Sequence, residues 1–367
     1  MCGIVGYAGC EKAGPILFDT LKRLEYRGYD SAGVAIISDG DLLVFKSAGR
    51  IADLENSYMK DGAPGSCTGI GHTRWATHGP PTTENAHPHV SGDVAVVHNG
   101  IIQNYLELKE ELLSRGFVFR SDTDTEVLAH LISSFYRGDL EDAVRSAINQ
   151  VDGSYAIAAL ARGMSHLVCA RNESPLVIGI GKGANYVASD VSALLPYTRD
   201  IVRMNDGEIA VIDEEAVVVK DLGGILIPLE LEKVDWDVEA AERAGYPHFM
   251  LKEIHEQPRA VQETIASRIS EMDGEVRIDI GLTVDEIRAL DRVSIVACGT
   301  SYHAAVLAKY LYPKAAGLPV DVEMASEFQH QLLRPGTLLL SITQSGETAD
   351  TLNAMKKAST LVLRGSP

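Results

Sequence analysis

The sequence predicts a layered α+β sandwich followed by a smaller, Rossmann-like α/β domain. In the first 220 or so residues, short β-rich runs joined by Gly/Asp turns alternate with runs whose apolar residues recur at i, i+3 and i+4. Hairpin-like connections favour packed sheets with helices outside them over a repeated βαβ unit. Beyond about residue 248 the order becomes strand, turn, helix, which is typical of a parallel sheet.

Each element follows from its pattern. In the first part, strands are predicted at residues 34–37, 42–45, 94–97, 156–160, 176–180 and 209–212, and helices at 17–24, 105–113 and 126–135. In the second part, a helical stretch interrupted at Pro258 is predicted at 249–269, strands at 292–297 and 338–342, and helices at 302–310 and 349–357. A charged run that ends near Gly245 marks a linker. We therefore expect one domain at residues 2–233, a linker at 234–247 and a second domain at 248–367.

Composition narrows the classes of function. The chain has 367 residues, 46% of them hydrophobic, and a formal net charge of −18, which disfavours nucleic acid or an anionic membrane as a partner. Its five cysteines are scattered without a C-x-x-C pair, which is typical of a reducing cytoplasm. The N-terminus lacks a signal pattern, and no apolar run approaches the roughly 18 residues of a membrane span. We expect a cytoplasmic protein.

The cysteine directly behind the initiator carries the most specific chemistry. Aminopeptidases remove Met1 when the next side chain is small, and Cys2 would then carry a thiol and a free α-amino group. A free thiol with a pKa near ~8.5 needs a base to become a nucleophile. An α-amino group with a pKa near ~7.7–8.0 is suited to accept that proton. Cys2 is therefore a candidate nucleophile with its own base.

Four polar motifs lie where strands end or helices begin. They occupy residues 23–33 (RLEYRGYDSAG), 71–79 (GHTRWATHG), 97–101 (VHNGI) and 121–126 (SDTDTE). Taken singly, Asn99-Gly100 is typical of a hairpin turn, and Asp122 and Asp124 are typical helix caps. The spacing of the histidines fits no compact ligand set, so we expect no metal, and we expect no cofactor.

Together with Cys2, these motifs resemble the class II glutamine amidotransferases, whose glutaminase domain is an N-terminal-nucleophile hydrolase with an αββα sandwich. The resemblance implies that Cys2 is the nucleophile and that Asn99 and Gly100 supply the oxyanion donors. It further implies that Arg74, Thr77 and His78 hold the α-carboxylate of glutamine and that Asp124 pairs with its α-ammonium group. By the same resemblance, Arg27 positions groups near the nucleophile and Trp75 gates the passage of ammonia.

Two hydroxyl-rich turns follow predicted strands of the second part, at residues 298–301 and 343–348. Backbone N–H groups at helix starts attract phosphate, and hydroxyls add donors, so the turns predict an anion cradle. Neither turn contains a lysine or matches a nucleotide P-loop. The turns resemble the first half of a sugar isomerase (SIS) domain. That resemblance implies sugar-phosphate contacts from Thr300, Ser301, Gln344, Ser345 and Thr348, with Thr343 where relatives have serine.

The resemblance also implies substrates. The motifs at residues 23–33 and 71–79 are similar to the branch of the family that uses glutamine and fructose 6-phosphate and forms glucosamine 6-phosphate. A class II amidotransferase with another acceptor and a non-catalytic sugar-phosphate sensor remain alternatives. The match stops soon after Thr348, whereas chains of this branch continue into further SIS sequence. We therefore expect a partial SIS domain, glutaminase activity above all, and a homodimer or a companion chain that completes the synthase.

Overall fold

The chain forms two compact units, Met1–Glu242 and Arg243–Pro367. A computed structural model describes residues 2–75, 79–235, 246, 248–266, 282–328, 333–334, 336–343 and 348–364. The division between the units falls inside the expected linker at 234–247. The end points of the two domains stay predictions.

The first unit is built from antiparallel strands and short helices. Its strands are β1 (Gly3–Gly9), β2 (Ser31–Ser38), β3 (Asp41–Ala48), β4 (Thr68–Arg74), β5 (His89–Ser91), β6 (Val94–Ile102), β7 (Gly153–Ala161), β8 (Leu167–Asn172), β9 (Val177–Ile180), β10 (Ala184–Ala188), β11 (Asp200–Arg203), β12 (Glu208–Ile212), β13 (Val217–Asp221), β14 (Leu226–Ile227) and β15 (Leu231–Lys233). Its helices are α1 (Ala13–Leu24), α2 (Ile51–Lys60), α3 (Tyr105–Ser114), α4 (Thr125–Phe135) and α5 (Leu140–Ile148).

These strands form two sheets that pack face to face. One sheet has eight strands in the order β15-β11-β9-β10-β1-β4-β2-β3, and the other has seven in the order β14-β13-β12-β8-β7-β6-β5. Between the sheets, Ile4 and Ile70 of the first contact a layer that contains Val97 and Leu160 of the second. All four side chains are fully buried, so this layer is the central core of the unit.

Helices cover the outer face of each sheet. On the first sheet, Leu21 of α1 and Leu54 of α2 share a core with Val5, the neighbour of Ile4 on β1. On the second sheet, α3, α4 and α5 pack with Val96, the neighbour of Val97 on β6. Neighbouring residues of one strand thus face opposite layers, as the two-residue period of a strand requires. The result is the four-layer αββα sandwich expected from the sequence.

The second unit contains a parallel sheet. Its strands are β16 (Arg292–Ala297), β17 (Val320–Met324) and β18 (Thr337–Ile342), and its helices are α6 (Phe249–Ala266), α7 (Val284–Arg288), α8 (Gly299–Ala316) and α9 (Ala349–Arg364). The sheet order is β17-β16-β18, with β16 parallel to both neighbours. This arrangement confirms the α/β prediction for the second part.

Two predictions for the second unit were wrong in detail. Helix α6 runs through Pro258 without interruption, because a proline removes one backbone donor but a long helix retains its other hydrogen bonds. Residues 267–269 of the predicted helical stretch lie outside the described part of the chain. Of the expected turn at 298–301, the last three residues form the first turn of α8, which begins at Gly299 and not at Tyr302.

Candidate active site

One pocket of the first unit collects most of the residues that the sequence predicts for glutamine chemistry. Cys2 precedes β1, and the pairing of Gly3 with Thr73 places it beside the end of β4, where Arg74 and Trp75 lie. The end of β6 and the start of α4 complete the pocket. Its lining residues are Cys2, Arg74, Trp75, His87, His98, Asn99, Gly100, Thr123, Asp124 and Thr125.

The thiol of Cys2 is held by the backbone of Trp75. The N–H of Trp75 donates to Sγ over 3.2 Å, and the thiol lies 3.6 Å from the Trp75 carbonyl oxygen. Burial raises the pKa of the Cys2 thiol, and the Trp75 hydrogen bond and the positive charges of Arg74 and Arg27 offset this only in part. The thiol is therefore protonated near neutral pH and needs a base before it can attack.

Asn99 and Gly100 lie inside strand β6, opposite Ala156 and Tyr155 of β7, so the hairpin-turn interpretation was wrong. The Asn99 Nδ2 donates to the backbone oxygen of Cys2 over 3.2 Å. Gly100 has φ +139, and a Cβ there would lie 2.0 Å from the Ser154 oxygen. Glycine is thus required at this position by both backbone conformation and space.

Arg74 and Asp124 bring opposite charges to the pocket. Arg74 is 4% exposed, and its guanidinium donates to the backbone oxygens of Gly79 and Pro80, each over 3.1 Å. Asp124 is 6% exposed, and its Oδ2 accepts the N–H of Ile102 over 3.0 Å. Asp124 precedes α4 without capping it through its side chain, so the cap interpretation was wrong for this residue. Such a pair complements the α-carboxylate and α-ammonium groups of a free amino acid.

Other predicted residues lie at the edge of the pocket or outside it. Arg27 does not line the pocket: its Nη1 donates to Oδ2 of Asp190 over 2.7 Å, and the hydroxyl of Tyr26 donates to the same oxygen over 2.8 Å. The half-exposed ring of Trp75 packs edge-on against Tyr29, with 5.6 Å between centroids. Thr77 and His78 lie outside the described residues. The roles given to these four residues stay predictions.

Sequence reasoning missed a group of buried polar side chains that forms part of the pocket wall and extends behind it. Nδ1 of His98 lies 2.9 Å from Oγ1 of Thr125, and Nε2 of His89 lies 2.9 Å from Oγ1 of Thr123. The sequence feature that could have revealed these side chains is His98, directly before Asn99, together with His87 and His89, which precede β6. Across the described ranges, no group of three or more His, Cys, Asp or Glu side chains is arranged to hold a metal ion. The contacts to Thr125 and Thr123 place His98 and His89 in the hydrogen-bonded interior.

The second predicted site lies at one edge of the parallel sheet. Thr300 and Ser301 are in the first turn of α8, and Thr348 directly precedes α9. The hydroxyls of Thr343 and Thr348 lie 3.3 Å apart, and Oγ1 of Thr351 lies 3.9 Å from Sγ of Cys298. The starts of the two helices are thus neighbours, as the anion-cradle prediction requires. Gln344 and Ser345 lie outside the described part of the chain.

Two family models match separate parts of the chain. Residues 72–196 match the glutamine amidotransferase domain, and residues 286–362 match the SIS domain. The chain therefore carries a glutamine amidotransferase domain followed by SIS sequence. None of the helices within the described residues is long and apolar enough to cross a membrane.

Relatives of known name are similar to this chain over almost its whole length. The chain is 50% identical over 374 residues to a glutamine–fructose-6-phosphate aminotransferase of Methanosarcina acetivorans, with 97% of this chain and 60% of the relative aligned. It is 49% identical over 362 residues to the enzyme of the same name from Thermus thermophilus, covering 98% of this chain and 59% of that one. This chain is thus similar to proteins named glutamine–fructose-6-phosphate aminotransferase and spans 60% of the length of the Methanosarcina relative.

A solved structure supports the fold. Glutamine phosphoribosylpyrophosphate amidotransferase from B. subtilis superposes with a TM-score of 0.55 at 23% identity, covering 91% of this chain and 69% of that one. At this identity the likeness concerns the fold alone, and it agrees with the layered sandwich predicted from the sequence.

Proposed function

We propose that this chain is a glutamine-dependent amidotransferase. Cys2 hydrolyses glutamine to glutamate and ammonia, and the ammonia is transferred to fructose 6-phosphate to give glucosamine 6-phosphate. The observation that carries the proposal is the convergence of Cys2, Arg74, Asn99 and Asp124 on one pocket. Glutamine and fructose 6-phosphate are also the compounds in the names of the relatives.

The first half of the reaction follows from the pocket. The α-amino group of Cys2, freed by removal of Met1, takes the thiol proton, and Sγ attacks the side-chain carbonyl carbon of glutamine. The Asn99 Nδ2 and the backbone N–H of Gly100 donate to the oxyanion that forms. Collapse of the tetrahedral intermediate returns the proton to the leaving nitrogen and releases ammonia. Water then hydrolyses the thioester to glutamate and regenerates the thiol.

Charge in the pocket orients the substrate. The guanidinium of Arg74 binds the α-carboxylate of glutamine, and the carboxylate of Asp124 binds its α-ammonium group. Both side chains are buried and fixed by backbone hydrogen bonds, so they hold their positions before substrate arrives. Thr77 and His78 are proposed to assist at the carboxylate, Arg27 to position the region around Cys2, and Trp75 to gate ammonia.

The second unit is proposed to bind the acceptor sugar phosphate. Thr300 and Ser301 lie at the start of α8, and Thr348 lies at the start of α9, where backbone N–H groups and the helix dipole attract phosphate. We add Gln344 and Ser345 to these contacts from the resemblance. The SIS match at 286–362 favours a sugar-phosphate acceptor over the acceptors of other class II amidotransferases.

Product analysis tests the proposal. The purified chain is incubated with glutamine and fructose 6-phosphate, and glutamate, ammonia and glucosamine 6-phosphate are quantified. We expect glutamate from the native chain and a loss of at least about 1,000-fold in Cys2→Ala, since removal of a nucleophile is among the costliest active-site changes. Glutamine hydrolysis that survives in Cys2→Ala contradicts the mechanism. Glucosamine 6-phosphate in step with glutamate supports the sugar acceptor, whereas free ammonia alone restricts the proposal to glutamine hydrolysis.

We also propose that the protein acts in the cytoplasm as a homodimer. All five cysteines are free thiols, which suits a reducing compartment. Light scattering of the purified chain checks the dimer: twice the mass of 39.6 kDa is expected, and a monomer at micromolar concentration contradicts it.

A further inference from the structure

His72 lies behind the pocket and has no part in the mechanism described above. It lies on β4, where it pairs with Ile4 of β1, and it is fully buried. Its Nε2 is 3.0 Å from Oδ1 of Asn99. Asn99 in turn donates from Nδ2 to the backbone oxygen of Cys2. A chain of contacts therefore runs from the buried histidine through the Asn99 amide to the nucleophile.

The partners of Asn99 fix the orientation of its amide. The backbone oxygen of Cys2 can only accept, so Nδ2 must face Cys2 and Oδ1 must face His72. An amide oxygen also only accepts, so Nε2 of His72 must carry a proton and donate it. The ring thus holds its proton on Nε2. Within the described part of the chain, Nδ1 of His72 is buried without a hydrogen-bond partner, which agrees with that tautomer.

The surroundings keep His72 in this state. The ring of His87 stacks on it with 4.1 Å between centroids and 23° between planes, and Nδ1 of His87 accepts the N–H of His98 over 3.4 Å. Burial lowers the pKa of His72 to about 3, with His98 and Arg74 adding repulsion against a second proton. The ring is therefore neutral throughout the physiological range and donates to Asn99 at a constant strength.

We propose that His72 is a positioning residue that sets the orientation of the Asn99 amide for oxyanion binding. This inference rests on the proposed glutamine hydrolysis at Cys2. An Asn amide can turn by 180° and exchange its oxygen and nitrogen. Turned this way, Oδ1 would face the Cys2 carbonyl oxygen and the developing oxyanion, and both contacts would be repulsive. The donor on His72 favours the orientation in which Nδ2 faces the reacting centre.

Two substitutions at one position separate orientation from packing. His72→Phe keeps an aromatic ring of similar shape but removes the donor, whereas His72→Gln keeps an N–H donor of similar reach. We expect His72→Phe to lower kcat for glutamine hydrolysis about 100-fold, comparable with the loss of one oxyanion donor, with KM for glutamine within about threefold of the native value. We expect His72→Gln to recover about tenfold of that loss.

A second background and a chemical probe sharpen the test. In an Asn99→Ala background, His72→Phe should have no additional effect on kcat, because the group that it orients is gone. The rate at which iodoacetamide alkylates Cys2 should stay within about twofold of the native rate in His72→Phe, since alkylation needs the thiol but no oxyanion donor. Val144→Ala, a core change on α5 remote from the pocket, controls for loss of stability alone.

The outcomes distinguish the two proposals. If the native chain hydrolyses glutamine and His72→Phe matches it in kcat, or if His72→Gln is as slow as His72→Phe, the positioning role is wrong and the proposed function stands. If the native chain hydrolyses no glutamine, or Cys2→Ala hydrolyses it as fast, the proposed function itself fails. A lowered kcat in His72→Phe that persists fully in the Asn99→Ala background also overturns the inference.

Discussion

The two candidate sites are built in different ways. The glutamine pocket takes Cys2 from the residue before β1, Arg74 from the same sheet, Asn99 from the facing sheet, and Asp124 from the start of a helix. The sugar-phosphate residues come from neighbouring parts of one parallel sheet, at the starts of α8 and α9. The first site joins residues that are far apart in the sequence, whereas the second repeats one local strand-to-helix feature on adjacent strands.

This difference sets how much each site tolerates change. In the pocket, the described charged side chains are buried, and each has a backbone partner that fixes it. At the sheet edge, Thr300 is exposed, and a Cβ on Gly299 would meet nothing within 4 Å. We therefore expect substitutions that change a single atom to have large effects in the pocket. Comparable substitutions at the sheet edge should have small effects.

Matched glycine substitutions give the largest expected contrast. Gly100→Ala places a Cβ 2.0 Å from the Ser154 oxygen at φ +139. Strained backbone and overpacking together should lower the free energy of unfolding of the first unit by about 3 kcal/mol or more. At Gly299, φ is +56 and a Cβ would lie in open space. Gly299→Ala should therefore lower the free energy of unfolding of the second unit by only about 1 kcal/mol. Urea unfolding checks both, and equal losses would contradict the proposed difference in tolerance.

Asparagine substitutions at two neighbouring carboxylates sharpen the description of the pocket. Asp124→Asn keeps an oxygen for the Ile102 N–H but removes the charge that would pair with the α-ammonium group of glutamine. A charged hydrogen bond contributes about 1.5–3 kcal/mol, so KM for glutamine should rise about 10–100-fold. Asp122→Asn is the control, because Asp122 bonds Asn85 and does not line the pocket. Steady-state kinetics in which both variants raise KM equally would refute the assignment.

Acid should destabilise the first unit through its buried histidines. Burial lowers the pKa of His72 and of His89 to about 3, from an ordinary value of 6.5. Between these pH values the unfolded chain binds more protons than the folded one. The contribution of the two histidines to the free energy of unfolding is therefore fully present above pH 6.5 and is lost as pH drops toward 3. Each histidine contributes a slope of about 1.4 kcal/mol per pH unit in this window.

The described histidines of the second unit, His248, His255 and His303, are exposed, so that unit is the internal reference. Hydrogen exchange of peptides from β4 and from β16, corrected for the intrinsic rate at each pH, reports the two units separately. We expect protection of β4 to fall below pH 6.5 before that of β16. A parallel decline of both peptides would show that the buried histidines are not responsible.

Local patterns predicted the layered sandwich and the parallel sheet, whereas the roles of the site residues came from the resemblance of their motifs to a known family. The local patterns missed β1 and β4, although β1 directly follows the nucleophile and β4 ends at Arg74. Both are interrupted by glycines, which weaken a strand signal. The structure shows why they are needed: a Cβ on Gly6 would meet Leu167 at 2.9 Å, and one on Gly69 would meet Leu17 at 2.8 Å. Such close packing between layers depends on tertiary neighbours that local sequence does not specify.

The same limit applies to the site. Asn99-Gly100 has the sequence of a turn but lies in a paired strand, because the β7 register and not the dipeptide determines its conformation. The contact between His72 and Asn99 joins residues 27 positions apart on two facing sheets. Neither spacing nor periodicity could have revealed it.

The most direct test of the account is covalent labelling with an electrophilic analogue of glutamine. In a γ-halomethyl ketone with the glutamine backbone, Sγ displaces the halide and forms a thioether. Cys10 and Cys67 are exposed and serve as internal competitors for the reagent. We expect peptide mass mapping to find label on Cys2 alone and glutamine to protect it. Equal labelling of Cys10 and Cys67, or labelling of Cys2 without protection by glutamine, would contradict a pocket that recognises free glutamine at its nucleophile.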